Sequence, residues 1–211
     1  MAKQLSSEFG LRVPILLTDQ YPNLDAFTRV AIDSNYPIDS MRTPVDARYV
    51  SSVSGFRTMF SSFHHFEPED ARQVLRSAIQ CGQSIGVFEV AQRSPLTVSA
   101  IFLTPLFLWW ITPSIRPFSW GRILWTYILP LVPFIVWFDG LISCLRAYSR
   151  TELEEMVASL EVEGPKAGYT WYVGEERSGI LPVTYLIWCP ADACSQDSII
   201  TGGKARRIAN P

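Results

Sequence analysis

The chain has 211 residues, of which 48% are hydrophobic, 13% aromatic and 18% charged, with a formal net charge of −2. So apolar a composition with so little net charge excludes a disordered chain. The length suits one domain, or one domain with an insertion, and is enough to bury a real core. A sequence pI near 5.7 leaves no basic field for gripping nucleic acid, so no nucleic-acid partner is expected.

The four cysteines, at 81, 144, 189 and 194, match no zinc spacing, and no metal is expected. They are too sparse for a disulfide scaffold, which makes a reducing compartment the default. Residues 1–10 are polar and include Lys3 and Glu8. They do not read as a signal peptide.

Four parts follow one another along the chain. Residues 1–92 read as soluble α/β sequence, 93–138 as an apolar insertion, 139–190 as α/β sequence again, and 191–211 as a loose tail. In the first part, 13–18 is a short apolar run with Pro14 near its start, and it predicts a buried strand ending at Asp19. Tyr21-Pro22-Asn23 predicts a loop. A helix is expected to start within 23–31 and a strand within 38–45, the latter ending at Asp46. Residues 56–63 form a third strand candidate, followed by His64 and His65.

Helix 68–80 has the clearest signals. Pro68 suits the first helical position, and Glu69 and Asp70 lie at the positive end of the dipole. Ala71, Val74, Leu75, Ala78 and Ile79 follow the helical period, and Gly82 is the stop. A buried strand over 84–88 ends at Glu89. Strand, helix and strand in this sequence imply a parallel crossover.

Beyond the insertion, Ser149-Arg150-Thr151-Glu152 is a capping box. Leu153, Met156, Val157 and Leu160 line the inner face of the helix it starts. Residues 169–173 and 183–188 predict an antiparallel pair that closes the sheet edge.

Asp19, Asp46, His64 and Glu89 each end a predicted parallel strand. Ligands of open α/β sheets bind outside those ends, and an acid there can accept the hydroxyl protons of a ribose. Each acid could equally cap the element that follows it.

Four segments, taken in order, resemble the second to fifth strands of a class I S-adenosylmethionine-dependent methyltransferase. They are Leu17-Thr18-Asp19-Gln20-Tyr21-Pro22-Asn23, Pro44-Val45-Asp46-Ala47, Phe63-His64-His65-Phe66 and residues 78–89. Asp139-Gly140 and Arg146-Ala147-Tyr148-Ser149 resemble that family's late helix, and the final β pair resembles its closing hairpin. The resemblance implies an α/β, Rossmann-like sheet that lacks its first strand, with an inserted apolar helical hairpin. It implies S-adenosylmethionine as cofactor.

By that resemblance Asp19, with Gln20 beside it, would take the ribose hydroxyls. Asp46 would accept from the adenine amino group, and the Ala47 N–H would donate to the ring. Ser61, Ser62 and Phe63 would floor the methyl-donor pocket. His64 or His65 would face the substrate and act as a general base, although methyl transfer can also proceed by alignment alone.

The family's glycine-rich turn after its first strand has no counterpart here, since Gly10 is the only glycine before Gly55. The chain is therefore expected to start after that strand. A fragment of a longer enzyme, a degenerate non-catalytic relative and completion by a partner chain are the three explanations.

Residues 96–114 form a run of about 19 without a charge, long enough as a helix for roughly 28 Å, and residues 123–138 form a second uncharged run. Arg116, Trp120 and Arg122 lie between them. The pair predicts a helical hairpin that spans the membrane twice, dips into it, or serves as a buried lid or dimer surface. Pro105, Pro113, Pro130 and Pro133 are expected to kink its helices. The expected partners are a small apolar substrate and membrane lipid, with a homodimer as the other use of that surface. The expected location is cytoplasmic, anchored in the membrane through 96–138.

Overall fold

The computed structural model describes residues 7, 10–34, 36–50, 53–162, 168–176, 181–190 and 206–208, with backbone only at 161–162 and 206–208. They form a mixed α/β protein with two compact units, residues 1–54 and 55–211. The boundary at 92 in the sequence marks where the apolar insertion begins. The compact units divide at 54/55, with β1 and β2 pairing only with each other in the first.

In the first unit, β1 (Ile15–Leu17) pairs in parallel with β2 (Ile38–Ser40) through helix α1 (Leu24–Asp33). Asn23 caps α1 by accepting from the Ala26 N–H at 3.0 Å. The strand expected over 38–45 is shorter than its sequence pattern. Beyond Ser40 the chain turns, and Asp46 starts a single 3₁₀ turn, Ala47–Tyr49. Neither strand is buried, and α1 buries no residue, so the buried strand expected at 13–18 is half-exposed in fact.

The second unit holds a five-stranded sheet in the order β3-β4-β6-β5-β7. Strand β3 (Arg57–Phe60), helix α2 (Pro68–Cys81) and β4 (Ile85–Glu89) make the expected parallel crossover. Helix α2 starts at Pro68 and ends at Gly82, whose φ of 63° is left-handed backbone that favours glycine. Ala71, Val74, Leu75 and Ala78 are buried, as the period requires.

The capping box is made in both directions. The Ser149 N–H donates to Glu152 Oε2 at 2.7 Å, and the Glu152 N–H donates to Ser149 Oγ at 3.3 Å. It opens α6 (Arg150–Val162), whose Leu153, Met156, Val157 and Leu160 are buried. The two long strands β5 (Tyr169–Glu176) and β6 (Val183–Pro190) pair antiparallel, and β6 also pairs antiparallel with β4.

The sequence placed 191–211 in a loose tail. Arg206–Ile208 within it is strand β7, paired antiparallel with β5. The rest of that stretch lies outside the described residues, as does the start of the chain apart from Ser7. Cys81 and Cys144 are thiols, whereas Cys189 is disulfide-bonded, which departs from the expectation of reduced cysteines.

The apolar insertion forms helix α3 (Pro95–Ile111), a 3₁₀ turn, a short segment α4 (Trp120–Ile128) that ends in a π turn, and helix α5 (Leu131–Arg146). α3 and α5 pack along each other. Of the prolines, Pro130 marks the sharp break: α4 and α5 meet at 69°. Pro105 lies within the continuous helix α3. The second arm is thus two pieces rather than one rod.

Candidate functional site

The end of β4 carries an acid where the chain should be dry. Glu89 is 5% exposed, at the end of a strand whose other residues are apolar or glycine. A carboxylate so placed needs partners, and three donors converge on it. The Ser62 and Phe63 N–H groups donate to Oε1 at 3.0 and 2.6 Å, and His64 Nδ1 lies 2.6 Å from Oε2. A carboxylate only accepts, so in a neutral ring the proton is assigned to Nδ1 from this partner. The ring's other nitrogen, Nε2, is then a lone-pair acceptor. Nε2 is buried and has no hydrogen-bond partner.

The local backbone makes this arrangement. β3 ends at Phe60, and the Ser61 N–H still donates to the Phe88 carbonyl at 2.8 Å, prolonging the ladder to β4. Ser61 then turns with a φ of 45°, left-handed backbone that costs a non-glycine residue about 1–2 kcal/mol. That turn sends Ser62 and Phe63 back across the tip of β4, and the 3₁₀ turn Phe63–His65 presents His64 to Glu89. Phe63, fully buried, anchors the turn. The His65 ring packs 4.3 Å from the His64 ring, and His65 itself is exposed.

Two residues after the insertion hold the outer side of this loop. Arg146 Nη2 donates to the His65 carbonyl at 3.0 Å, and Tyr148 Oη donates to the Phe66 carbonyl at 2.8 Å. The Tyr148 ring lies 5.6 Å from that of Phe63, and burial pushes its phenol above the ordinary value. The end of α5, where the apolar hairpin returns, is therefore in direct contact with the histidine loop.

In the first unit, Asp19 and Asp46 share one rim. The Val45 N–H donates to the Asp19 carbonyl at 2.9 Å, which sets the two acids beside each other past the ends of β1 and β2. Each also makes a local bond. Asp19 Oδ1 accepts from the Tyr21 N–H at 2.7 Å and the residue is exposed. Asp46 accepts from the Arg48 N–H and pairs with the Arg48 guanidinium at 2.6 Å. That side-chain bond to Arg48 holds the Asp46 carboxyl below its usual value. Gln20 is exposed, and Ala47 begins the 3₁₀ turn.

The sequence-derived residues thus fall into two groups, each assembled within its own unit: Asp19, Gln20, Asp46 and Ala47 in the first, and Ser61, Ser62, Phe63, His64 and His65 in the second. Glu89 was visible as an acid at a strand end, but nothing in the spacing tied it to His64, 25 residues away. The available signal was its position at the end of a buried apolar strand. Arg146 and Tyr148 carried no signal as loop clasps.

The fit to S-adenosylmethionine is partial. Asp19 offers a solvent-facing carboxylate suited to ribose hydroxyls. Asp46 is engaged by Arg48, and among the described residues no glycine-rich turn is available for the methionine end.

No family model matches this chain, and no curated protein does. Solved structures similar to it include one described as a pericyclic reaction enzyme, with a TM-score of 0.47 and 13% identity, covering 89% of this chain and 39% of its own. Two structures of LepI, one in complex with SAM and one of a variant with SAH and a substrate analogue, also have a TM-score of 0.47 and 13% identity. This chain spans about 39% of the length of each of these.

Proposed function

We propose that the chain binds S-adenosylmethionine and takes part in methyl transfer to a small lipophilic acceptor. The observation that carries this reading is strand order. A doubly wound sheet runs 3-2-1-4-5. Within the first unit the order is β2-β1, and within the second it begins β3-β4. Each of these orders, taken by itself, matches one flank of such a sheet. The closing antiparallel pair of the resemblance also follows, as β5 and β6. This supports a Rossmann-like assignment for a chain whose pairings are otherwise mostly antiparallel.

Asp19 would hold the adenosine end of the cofactor, which supplies the methyl group when bound. Glu89 is a positioning residue. It fixes the plane and tautomer of His64, as the orienting carboxylate does in other histidine pairs. Nε2 is the atom on which His64 would accept an acceptor's proton, and its burial means the loop must open for this to happen. The contact between the hairpin base and the histidine loop supports a lipophilic acceptor, since a ligand arriving from the apolar helices meets that loop first.

A second reading has its own support. The Asp46–Arg48 pair and the lack of a glycine-rich turn among the described residues favour a non-catalytic, membrane-associated protein on a degenerate methyltransferase scaffold. Titration calorimetry of S-adenosylhomocysteine into the full chain in detergent micelles separates the two. Methyl transfer predicts saturable binding, weakened by Asp19→Ala by about 1–3 kcal/mol, the value of a hydrogen bond to a charged group. Absence of binding supports the scaffold, and equal binding by the variant removes Asp19 from the site.

A further inference from the structure

We propose that the hairpin of α3 and α5 crosses a lipid bilayer fully, with α4 lying flat in the headgroup layer on the far side. This topology does not depend on the methyl-transfer reading. It rests on where the charges and aromatic rings fall along the hairpin.

The first observation is length. α3 and α5 have 17 and 16 residues, which as helices span about 25 and 24 Å. A thin bilayer has a hydrocarbon core of about 27 Å. Leu103, Leu106 and Phe107 on α3, and Phe134, Ile135 and Phe138 on α5, are exposed on the outer sides of the pair. Their inner sides meet each other, where Phe102 and Trp137 pack edge to face and Gly140 lets Ile101 approach. Among the described residues of the second unit none covers those outer faces, and a bilayer would supply the solvent they need.

The second observation is the placement of charge. At the base, Arg93 donates to the Leu145 carbonyl and to Glu152, and Arg146 donates to the His65 carbonyl. At the far end are Arg116 and Arg122, the latter bonded to the Ile115 carbonyl. Asp139 is the one charged residue on the two arms between these ends. Cationic ends bracketing an apolar middle match a bilayer's two headgroup layers, and they do not match a second copy of the hairpin, whose tip or base arginines would lie against their own kind.

The third observation decides how deep the hairpin goes. Asp139 lies level with Ile101 and Phe102, about 10 Å along α5 from Arg146. If the hairpin entered only as far as Asp139, the tip that carries Arg116 and Arg122 would sit about 14 Å deep, near the midplane. Full crossing places both arginines in the far headgroups and leaves Asp139 alone within the near leaflet.

The 69° bend then acquires a use. It turns α4 across the tip, where the Trp109 indole donates to the Thr126 carbonyl and Tyr127 Oη bonds the Trp109 carbonyl. Trp120 is 79% exposed, and Trp125 and Tyr127 are also exposed on α4. Such a segment, rich in Trp and Tyr and carrying Arg122, suits the plane of the interface.

The test reconstitutes the full chain in sealed vesicles of phosphatidylcholine and phosphatidylglycerol. Gln80→Cys marks α2 and Ser119→Cys marks the tip, each combined with Cys81→Ser, with the Cys81→Ser parent as background. A membrane-impermeant maleimide is added outside or trapped inside. Full crossing predicts opposite sides: the fractions of the two sites labelled from outside sum to one, whatever the mixture of orientations. Labelling of both sites from the same side overturns the proposal. So does a tip cysteine labelled from neither side until detergent is added, which is shallow insertion. Alkaline carbonate washing of the wild-type chain is a variant-free check. Retention in the vesicles is expected, and release as a soluble dimer overturns the proposal.

Discussion

Replacing Glu89 probes the centre of the proposed site directly. Glu89→Ala leaves the Ser62 and Phe63 N–H groups and His64 Nδ1 without their acceptor in a place water does not reach. Each orphaned buried group costs about 1–3 kcal/mol. The three share one acceptor and are coupled, so their costs do not simply add, and a loss of at least about 3 kcal/mol is expected in all. Glu89→Gln is gentler. Its carbonyl oxygen still accepts from both N–H groups, so the expected loss is only about 1–3 kcal/mol, that of a charge-assisted bond.

The amide of Glu89→Gln also changes what faces His64. An NH₂ group directed at Nδ1 asks the ring to accept there, so the proton moves to Nε2. Urea denaturation of the full chain in micelles gives the two stability losses. Nitrogen chemical shifts of the His64 ring give the tautomer, expected as Nδ1–H in the wild type and Nε2–H in Glu89→Gln. A Glu89→Ala variant within about 1 kcal/mol of wild type, or a ring tautomer that Glu89→Gln leaves unchanged, refutes the reasoning.

Three further outcomes follow from the structure. Gly174→Ala places a Cβ 2.5 Å from Tyr185 Oη and 2.6 Å from its ring carbon, and Tyr185 is buried; a loss of about 1–3 kcal/mol in denaturation midpoint experiments is expected. Ser149→Ala removes the N-cap of α6 and should cost about 1 kcal/mol, measurable in the same way.

The Asp46–Arg48 pair gives a pH dependence. Arg48 lowers the Asp46 carboxyl in the folded chain. Its contribution is therefore complete above the unfolded value, near 4, and is lost as pH falls through the lowered folded value. The Asp46 side chain is 25% exposed, so the size is below about 1 kcal/mol. The difference between wild type and Asp46→Asn should shrink below pH 4 when acid titrations are compared.

Local signals in the sequence were readable where chemistry and period agreed. Pro68, the acids after it, the buried face of α2 and Gly82 are a complete set of start, side and stop, and the helix spans Pro68–Cys81. The capping box at Ser149 was equally readable. The sheet was less so. Parallel pairing of 57–60 with 85–88 follows from the crossover, but splitting into two sheets depends on which strands find partners, a long-range property.

Pro130 was one of four candidate kinks, and sequence alone did not select it. Pro105 stays within a continuous helix, whereas the chain leaves helical geometry at Leu129 and Pro130. The candidate site shows the same division. His64 was visible as a residue type at a strand end. The Ser61 turn that brings it back over β4 to Glu89 is a backbone event with no sequence signature, since Ser there is a non-glycine at φ 45°.

The central claim is that this chain binds S-adenosylmethionine through its adenosine end. Equilibrium dialysis of labelled S-adenosylmethionine against the full chain in micelles tests it most directly. The account predicts saturable retention, displaced by unlabelled S-adenosylhomocysteine and also by adenosine alone. No retention above a protein-free control at millimolar ligand would contradict it.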